Sequence, residues 1–123
     1  MGKQLAFIIE DDPILAELFA IALRSDFETQ IAYDGPSALN KLTEIIPAII
    51  ILDLHLPRIS GKDILKQIKR DERLSRSRII ITTADGAMVE ELRDDVDIVL
   101  LKPISITQLN QLANRLCLDR INP

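Results

Sequence analysis

Cys117 is the chain's single cysteine, so no disulfide can close within it and a bridged scaffold is excluded. No apolar run approaches the roughly 20 residues that a membrane span requires. The start, Met1-Gly2-Lys3-Gln4, lacks the long apolar stretch and small-residue cleavage site of a secretory signal. A cytoplasmic location is the expectation. There is no Gly-x-x-x-x-Gly-Lys-Ser/Thr run, which excludes a nucleotide-binding P-loop. Positive charge is not in excess either. The formal net charge is -4, and phosphate contacts need clustered Lys and Arg, so direct nucleic-acid binding is not expected. The basic cluster Lys66, Lys69, Arg70, Arg73, Arg76 and Arg78 is interleaved with Asp71 and Glu72 and reads as a solvated helix face and loop. His55 is the lone histidine, and one imidazole without a second nitrogen or sulfur ligand is weak ground for a zinc site. Repeats, interdomain linkers and low-complexity stretches are missing, so residues 1–123 read as one domain.

Apolar strand-formers are plentiful. Hydrophobic residues make up 47% of the 123 positions and charged residues 28%, enough for one well-formed core. The stretch Ile49-Ile50-Ile51-Leu52 runs straight into Asp53, and Pro57 and Gly61 follow. A continuous branched apolar run reads as a strand buried on both faces, as in a parallel sheet. Aspartate suits a strand end that meets solvent and ligand better than a strand interior.

The rest of the chain supplies the partners of that strand. Leu5 to Ile9 is a first strand, ending in Glu10-Asp11-Asp12 before Pro13. Asp12 suits a helix N-cap and Pro13 the first turn. From Ile14 to Arg24, Leu15, Leu18, Phe19 and Ala22 define the expected inward face. Phe27 to Tyr33 alternates like a half-exposed edge strand. Asp34-Gly35-Pro36-Ser37 starts a helix with Ala38, Leu39, Leu42, Ile45 and Ile46 inward, which Pro47 stops. After Gly61 a helix carries Ile64, Leu65 and Ile68 to near Arg70, and 71–78 reads as polar linker. Ile79 to Thr83 is the fourth strand, Ala87 to about Asp94 a short helix, and Ile98 to Leu101 the fifth strand. Ser105 or Thr107 caps a last helix with Ile106, Leu109, Leu112, Ala113 and Leu116 inward and Cys117 as a packing residue nearby. Strict alternation of strand and helix predicts an α/β fold: a flavodoxin-like, doubly wound, five-stranded parallel sheet in the order 2-1-3-4-5 with helices on both faces.

In that order the polar residues meet at one rim. The first strand delivers Glu10, Asp11 and Asp12 to its carboxyl end, the third Asp53, the fourth Thr83 and the fifth Lys102. Carboxylates so close repel one another unless a cation neutralises them. Magnesium prefers hard oxygen ligands and leaves positions open for phosphate oxygens. Lys102 supplies a point charge and Thr83 a hydroxyl. Metal, cation, donor and a central carboxylate are the parts of phosphoryl transfer, with Asp53 the expected nucleophile.

With Glu10-Asp11, Asp53 followed by Pro57 and Gly61, Thr83-Ala84 and Lys102-Pro103 in this order, the chain resembles the CheY-like receiver domains of bacterial two-component response regulators over essentially its whole length. The resemblance implies that Asp53 accepts a phosphoryl group from a sensor histidine kinase or phosphotransfer protein. Mg2+ would be held by Glu10, Asp11, Asp53 and the backbone carbonyl of His55, and Thr83 and Lys102 would contact the phosphoryl oxygens. It also implies a cis Lys102-Pro103 bond and a downstream protein target or linked output domain. No membrane partner is implied, and no enzyme activity beyond self-phosphorylation and self-dephosphorylation.

Two departures stand out. Val99 occupies the place of an aromatic residue that in the family turns inward with the threonine, and Asp95-Val96-Asp97 replaces the usual Gly-Ala in a shortened segment before the fifth strand. Each site residue also has a plainer reading. Glu10 and Asp12 could serve a helix N-terminus alone, Asp53 and Thr83 could only end strands, and Lys102 could be a solvated lysine. Two further functions compete with the phosphorylation switch: a degenerate receiver used only for protein interaction, and a magnesium phosphohydrolase. The second would want an acid two residues after the nucleophile, where His55 stands.

Overall fold

Branched apolar residues set the middle of the molecule. All of Ile49–Asp53 is buried, and Ile49, Ile50, Ile51, Leu52, Ile80 and Ile81 are almost wholly shielded from solvent. The computed structural model describes residues 2–121, with side chains to 118. Strands β1 (Gln4–Ile9), β2 (Phe27–Ala32), β3 (Ile49–Asp53), β4 (Arg78–Thr83) and β5 (Ile98–Leu101) form one parallel sheet in the order β2-β1-β3-β4-β5. Helices α1 (Pro13–Leu23) and α5 (Ile106–Ile121) cover one face; α2 (Gly35–Leu42), α3 (Gly61–Arg70) and α4 (Ala87–Leu92) cover the other. The expected doubly wound arrangement and strand order are therefore present.

Side-chain alternation divides the core in two. Ile50, Leu52, Ile79 and Ile81 pack under α2, α3 and α4, while Ile49, Ile51 and Ile80 pack under α1 and α5. The same parity puts Asp53 and Thr82 on the α1–α5 face and Thr83 on the other.

Four local expectations need correction. The fully buried residues of α1 are Ala16, Phe19, Ala20 and Leu23; of the expected inward face, Phe19 is among them, Leu15 and Ala22 pack part-buried against the same core, and Leu18 is exposed. Glu17 is the helix's one charged residue, so apolar periodicity leaves its rotation undetermined. The small side chains of Ala16 and Ala20 allow close approach to the sheet, and Ile14, Leu18 and Ile21 are left exposed. Helix α2 ends at Leu42, well before Pro47, because the Thr43 hydroxyl and N–H both turn back onto Asn40 O, at 2.6 and 3.2 Å. Ile46 is consequently exposed. Tyr33 lies beyond β2 and is exposed as well. Finally, 71–78 is no free linker. Asp71 caps a 3-10 turn at Glu72–Leu74, Leu74 is buried, and the Ser77 hydroxyl donates to Pro47 O at 2.6 Å.

Candidate functional site

Short local rules place each rim residue. The Asp12 side chain accepts from the Ile14 and Leu15 N–H groups and starts α1, which fixes the chain leaving β1. Glu10 is held from both sides: its N–H donates to Ala32 O at 3.1 Å, and its Oε2 accepts the Asp12 N–H at 3.1 Å. Asp53 closes β3, and its Oδ1 accepts the His55 N–H at 3.1 Å. The loop beyond turns back sharply through Arg58, at φ 70, in the left-handed region. It re-enters at Gly61, whose N–H donates to Leu54 O at 3.0 Å. A β-carbon on Gly61 would lie 2.5 Å from Asp53 O and 2.5 Å from Leu54 Cα. Only glycine lets α3 start this close to the Asp53 strand end. Lys102 is anchored by its N–H to Thr83 O at 2.7 Å and is followed by a cis bond to Pro103, as the resemblance implied.

These anchors converge. Carboxylate oxygens of Glu10, Asp11 and Asp53 lie within 4.8 Å of one another; Glu10 and Asp53 are buried and Asp11 is exposed. Lys102 Nζ bridges two of them, at 3.1 Å from Glu10 Oε1 and 3.3 Å from Asp53 Oδ2. Burial first, and then the neighbouring Asp53 charge, push the Glu10 carboxyl up from 4.5 to about 7, against the Asp12 N–H and Lys102. For Lys102, burial pulls downward, but the hydrogen bond to Glu10 and the charges of Asp53 and Glu10 outweigh it and the ammonium is raised. The Thr83 hydroxyl is buried, accepts the Asp85 N–H at 3.0 Å and lies 3.4 Å from His55 Nε2. Thus Glu10, Asp11, Asp53 and Lys102 form one cluster, with Thr83 beside the His55 ring. Thr82 was missed by sequence reasoning: it is fully buried, in register with Asp53, and its hydroxyl has no hydrogen-bond partner among the described residues. An orphaned buried hydroxyl costs about 1–3 kcal/mol. Only the strict alternation of β4 could have singled it out.

A cavity of about 720 Å3 opens at the other end of the sheet, where Lys69, Arg76 and Arg78 face Asp94, Asp95 and Asp97. Its lining mixes both charge signs, unlike the acid rim.

The profile of the response regulator receiver domain matches residues 6–114. This chain belongs to the response regulator receiver family. The DNA-binding response regulator MtrA of Mycolicibacterium smegmatis is 31% identical over 108 residues, which are 87% of this chain and 47% of that protein. The dual master transcriptional regulator RpaA of Synechocystis is 29% identical, over 83% of this chain and 44% of that protein. The receiver domain therefore spans about half the length of these curated relatives. Among solved structures, a Francisella response regulator receiver domain superposes with a TM-score of 0.85 at 25% identity, covering 96% of this chain and 99% of that one. The Vibrio cholerae chemotaxis regulator CheY4 does so at 0.85 and 19% identity, covering 94% and 99%, a likeness of fold. Receiver domains are a signalling fold of two-component systems, and no described helix here is long and apolar enough to cross a membrane.

The receiver's acid cluster also fits a divalent cation. Its donors are hard carboxylate oxygens from three acids, close enough together to share one ion.

Proposed function

We propose that this receiver, taken as residues 1–123, is a phosphorylation switch working in the cytoplasm with Asp53 as phosphoacceptor. The observation that carries the reading is the buried Asp53 carboxylate at the end of the central strand, bridged by Lys102 Nζ to Glu10. An Asp53 oxygen attacks phosphorus as the bond from phosphorus to the imidazole nitrogen of a kinase or phosphotransfer phosphohistidine breaks. The donor imidazole leaves with the electron pair. Glu10, Asp11, Asp53 and the His55 carbonyl would hold Mg2+, which supplies charge neutralisation between the acids and the incoming phosphoryl oxygens. Lys102 and Thr83 would contact the phosphoryl oxygens, at the cost of the present Lys102 bridge and the present Thr83 surroundings. That exchange of partners is what a downstream protein or linked output domain would read.

One specific feature favours a second reading, a phosphorylation-independent interaction module. Val99 faces the α2–α4 side and packs half-buried there in place of an aromatic switch, beside an α4 of only 6 residues. Intact mass after incubation with acetyl phosphate and magnesium separates the two. One added phosphoryl group in the wild type and none in Asp53→Asn is the expected result. No gain in the wild type, together with no response to beryllofluoride, would leave the interaction module.

A further inference from the structure

Thr82 is completely buried, and its hydroxyl has no hydrogen-bond partner among the described residues. It is paired in register with Asp53 on one side and Leu100 on the other. Alternation along β3 and β4 places Thr82 and Asp53 on the same face, with Ile51 and Ile80. The strand order adds a constraint. Lys102 follows β5, while the Asp53 and Glu10 carboxylates it reaches belong to β3 and the end of β1. Its side chain must therefore cross the carboxyl end of β4, which puts Thr82 beside the Lys102–Asp53 bridge. Valine would fill the same volume without an orphaned hydroxyl. One jump between staggered χ1 wells can bring the Thr82 hydroxyl to the position its methyl now holds, the methyl moving on to the next well.

We propose that Thr82 is a positioning residue for Asp53. When Lys102 turns from Asp53 Oδ2 to an arriving phosphoryl group, the Thr82 hydroxyl swings onto the carboxylate as a hydrogen-bond donor. Asp53 then keeps its orientation through the transfer; no proton leaves Thr82. The inference rests on Asp53 being the phosphoacceptor and names a residue that acts through it.

The test compares wild type, Thr82→Val, Thr82→Ser and Asp53→Asn. Each is incubated with a range of acetyl phosphate concentrations in magnesium, and phosphorylation is followed by intact mass. Thermal unfolding is measured with and without beryllofluoride. Thr82→Val should lower the maximal rate roughly tenfold, the scale of one lost hydrogen bond, without moving the half-saturating concentration. Thr82→Ser should restore the rate. Without beryllofluoride Thr82→Val should melt no lower than wild type, but beryllofluoride should raise its Tm less. Wild-type maximal rate and a wild-type Tm rise in Thr82→Val would overturn the role of Thr82 alone. An equal phosphoryl gain in wild type and Asp53→Asn would overturn the phosphoacceptor reading and this role with it. If Thr82→Val does not fold, Thr82→Ala against Thr82→Ser decides by the same criteria.

Discussion

The rim formed by β1 and β3 and the segment from α4 through β5 are built to different standards. β3 is buried along its whole length, and Glu10 and Asp53 sit at its edge almost without solvent contact. Helix α3 behind it starts on a Ser60 side-chain cap and ends with Lys69 and Arg70 in its last turn. By contrast α4 spans only Ala87–Leu92 with no side-chain cap from Gly86, and β5 is half-buried, with Leu101 at 49% exposure. Few buried apolar contacts mean a low free energy of local opening. The proposed phosphoacceptor Asp53 sits in the stiff part, and the looser part adjoins it through Thr83 and Lys102.

Register partners offer the sharpest way to break this comparison. Ile81 and Val99 are paired across β4 and β5 and belong to the same core, but only Ile81 is fully buried. Ile81→Ala should cost about 4 kcal/mol and Val99→Ala about 1 kcal/mol in urea unfolding. Equal costs would show that β5 is as tightly packed as the rim. Gly61→Ala comes next. Its β-carbon would meet Asp53 and Leu54 backbone at 2.5 Å, and backbone cannot step aside as a flexible side chain can. A loss of about 3 kcal/mol should appear, together with slower phosphorylation, because relief of the clash moves Asp53 itself.

Acid titration probes the rim without touching its packing. Burial raises the Glu10 carboxyl from 4.5 to about 7. The folded state then holds a proton that the unfolded chain has already released, so between those values stability falls as pH rises. In chelator, wild type should lose on the order of 2 kcal/mol relative to Glu10→Gln between pH 4.5 and pH 7.5. Parallel stability curves for the two proteins would show that Glu10 is not strained by its surroundings.

Most of the rim was legible because topology does the gathering. Once β1, β3, β4 and β5 are recognised as parallel, Glu10, Asp53, Thr83 and Lys102 must share one end of the sheet. What stayed hidden needed atoms. Helix α1 is apolar nearly all round, so the full burial of Ala16 and Ala20 and the exposure of Leu18 depended on how close the helix comes to the sheet. The burial of Leu74 depended on a 3-10 turn that a run of polar neighbours concealed. Thr82 looked like one more strand residue beside Thr83, and only its unpaired hydroxyl distinguishes it.

Within the looser segment, Asp97 is the tie that holds β5 to its neighbour. Its Oδ2 accepts the Ile79 N–H at 2.7 Å, and its Oδ1 lies 3.3 Å from Arg78. Asp97→Ala would leave that backbone donor without its carboxylate and should cost about 1–2 kcal/mol. An effect near zero would mean that the start of β5 is held by strand pairing alone.

The smallest effect has the opposite sign. Gly86 precedes α4 with φ -60 and ψ -27, a conformation that any residue adopts, and a β-carbon there meets nothing within 4 Å. Alanine therefore fits the folded chain unchanged while restricting the unfolded one, and Gly86→Ala should stabilise by about 0.4–1 kcal/mol. The gain should appear in urea unfolding and should leave the rate of phosphorylation from acetyl phosphate unaltered, because the added methyl touches no residue of the rim. A slower rate in Gly86→Ala would instead tie the start of α4 to the transfer step. The stiff and loose parts would then be coupled in the chemistry as well as in the switch.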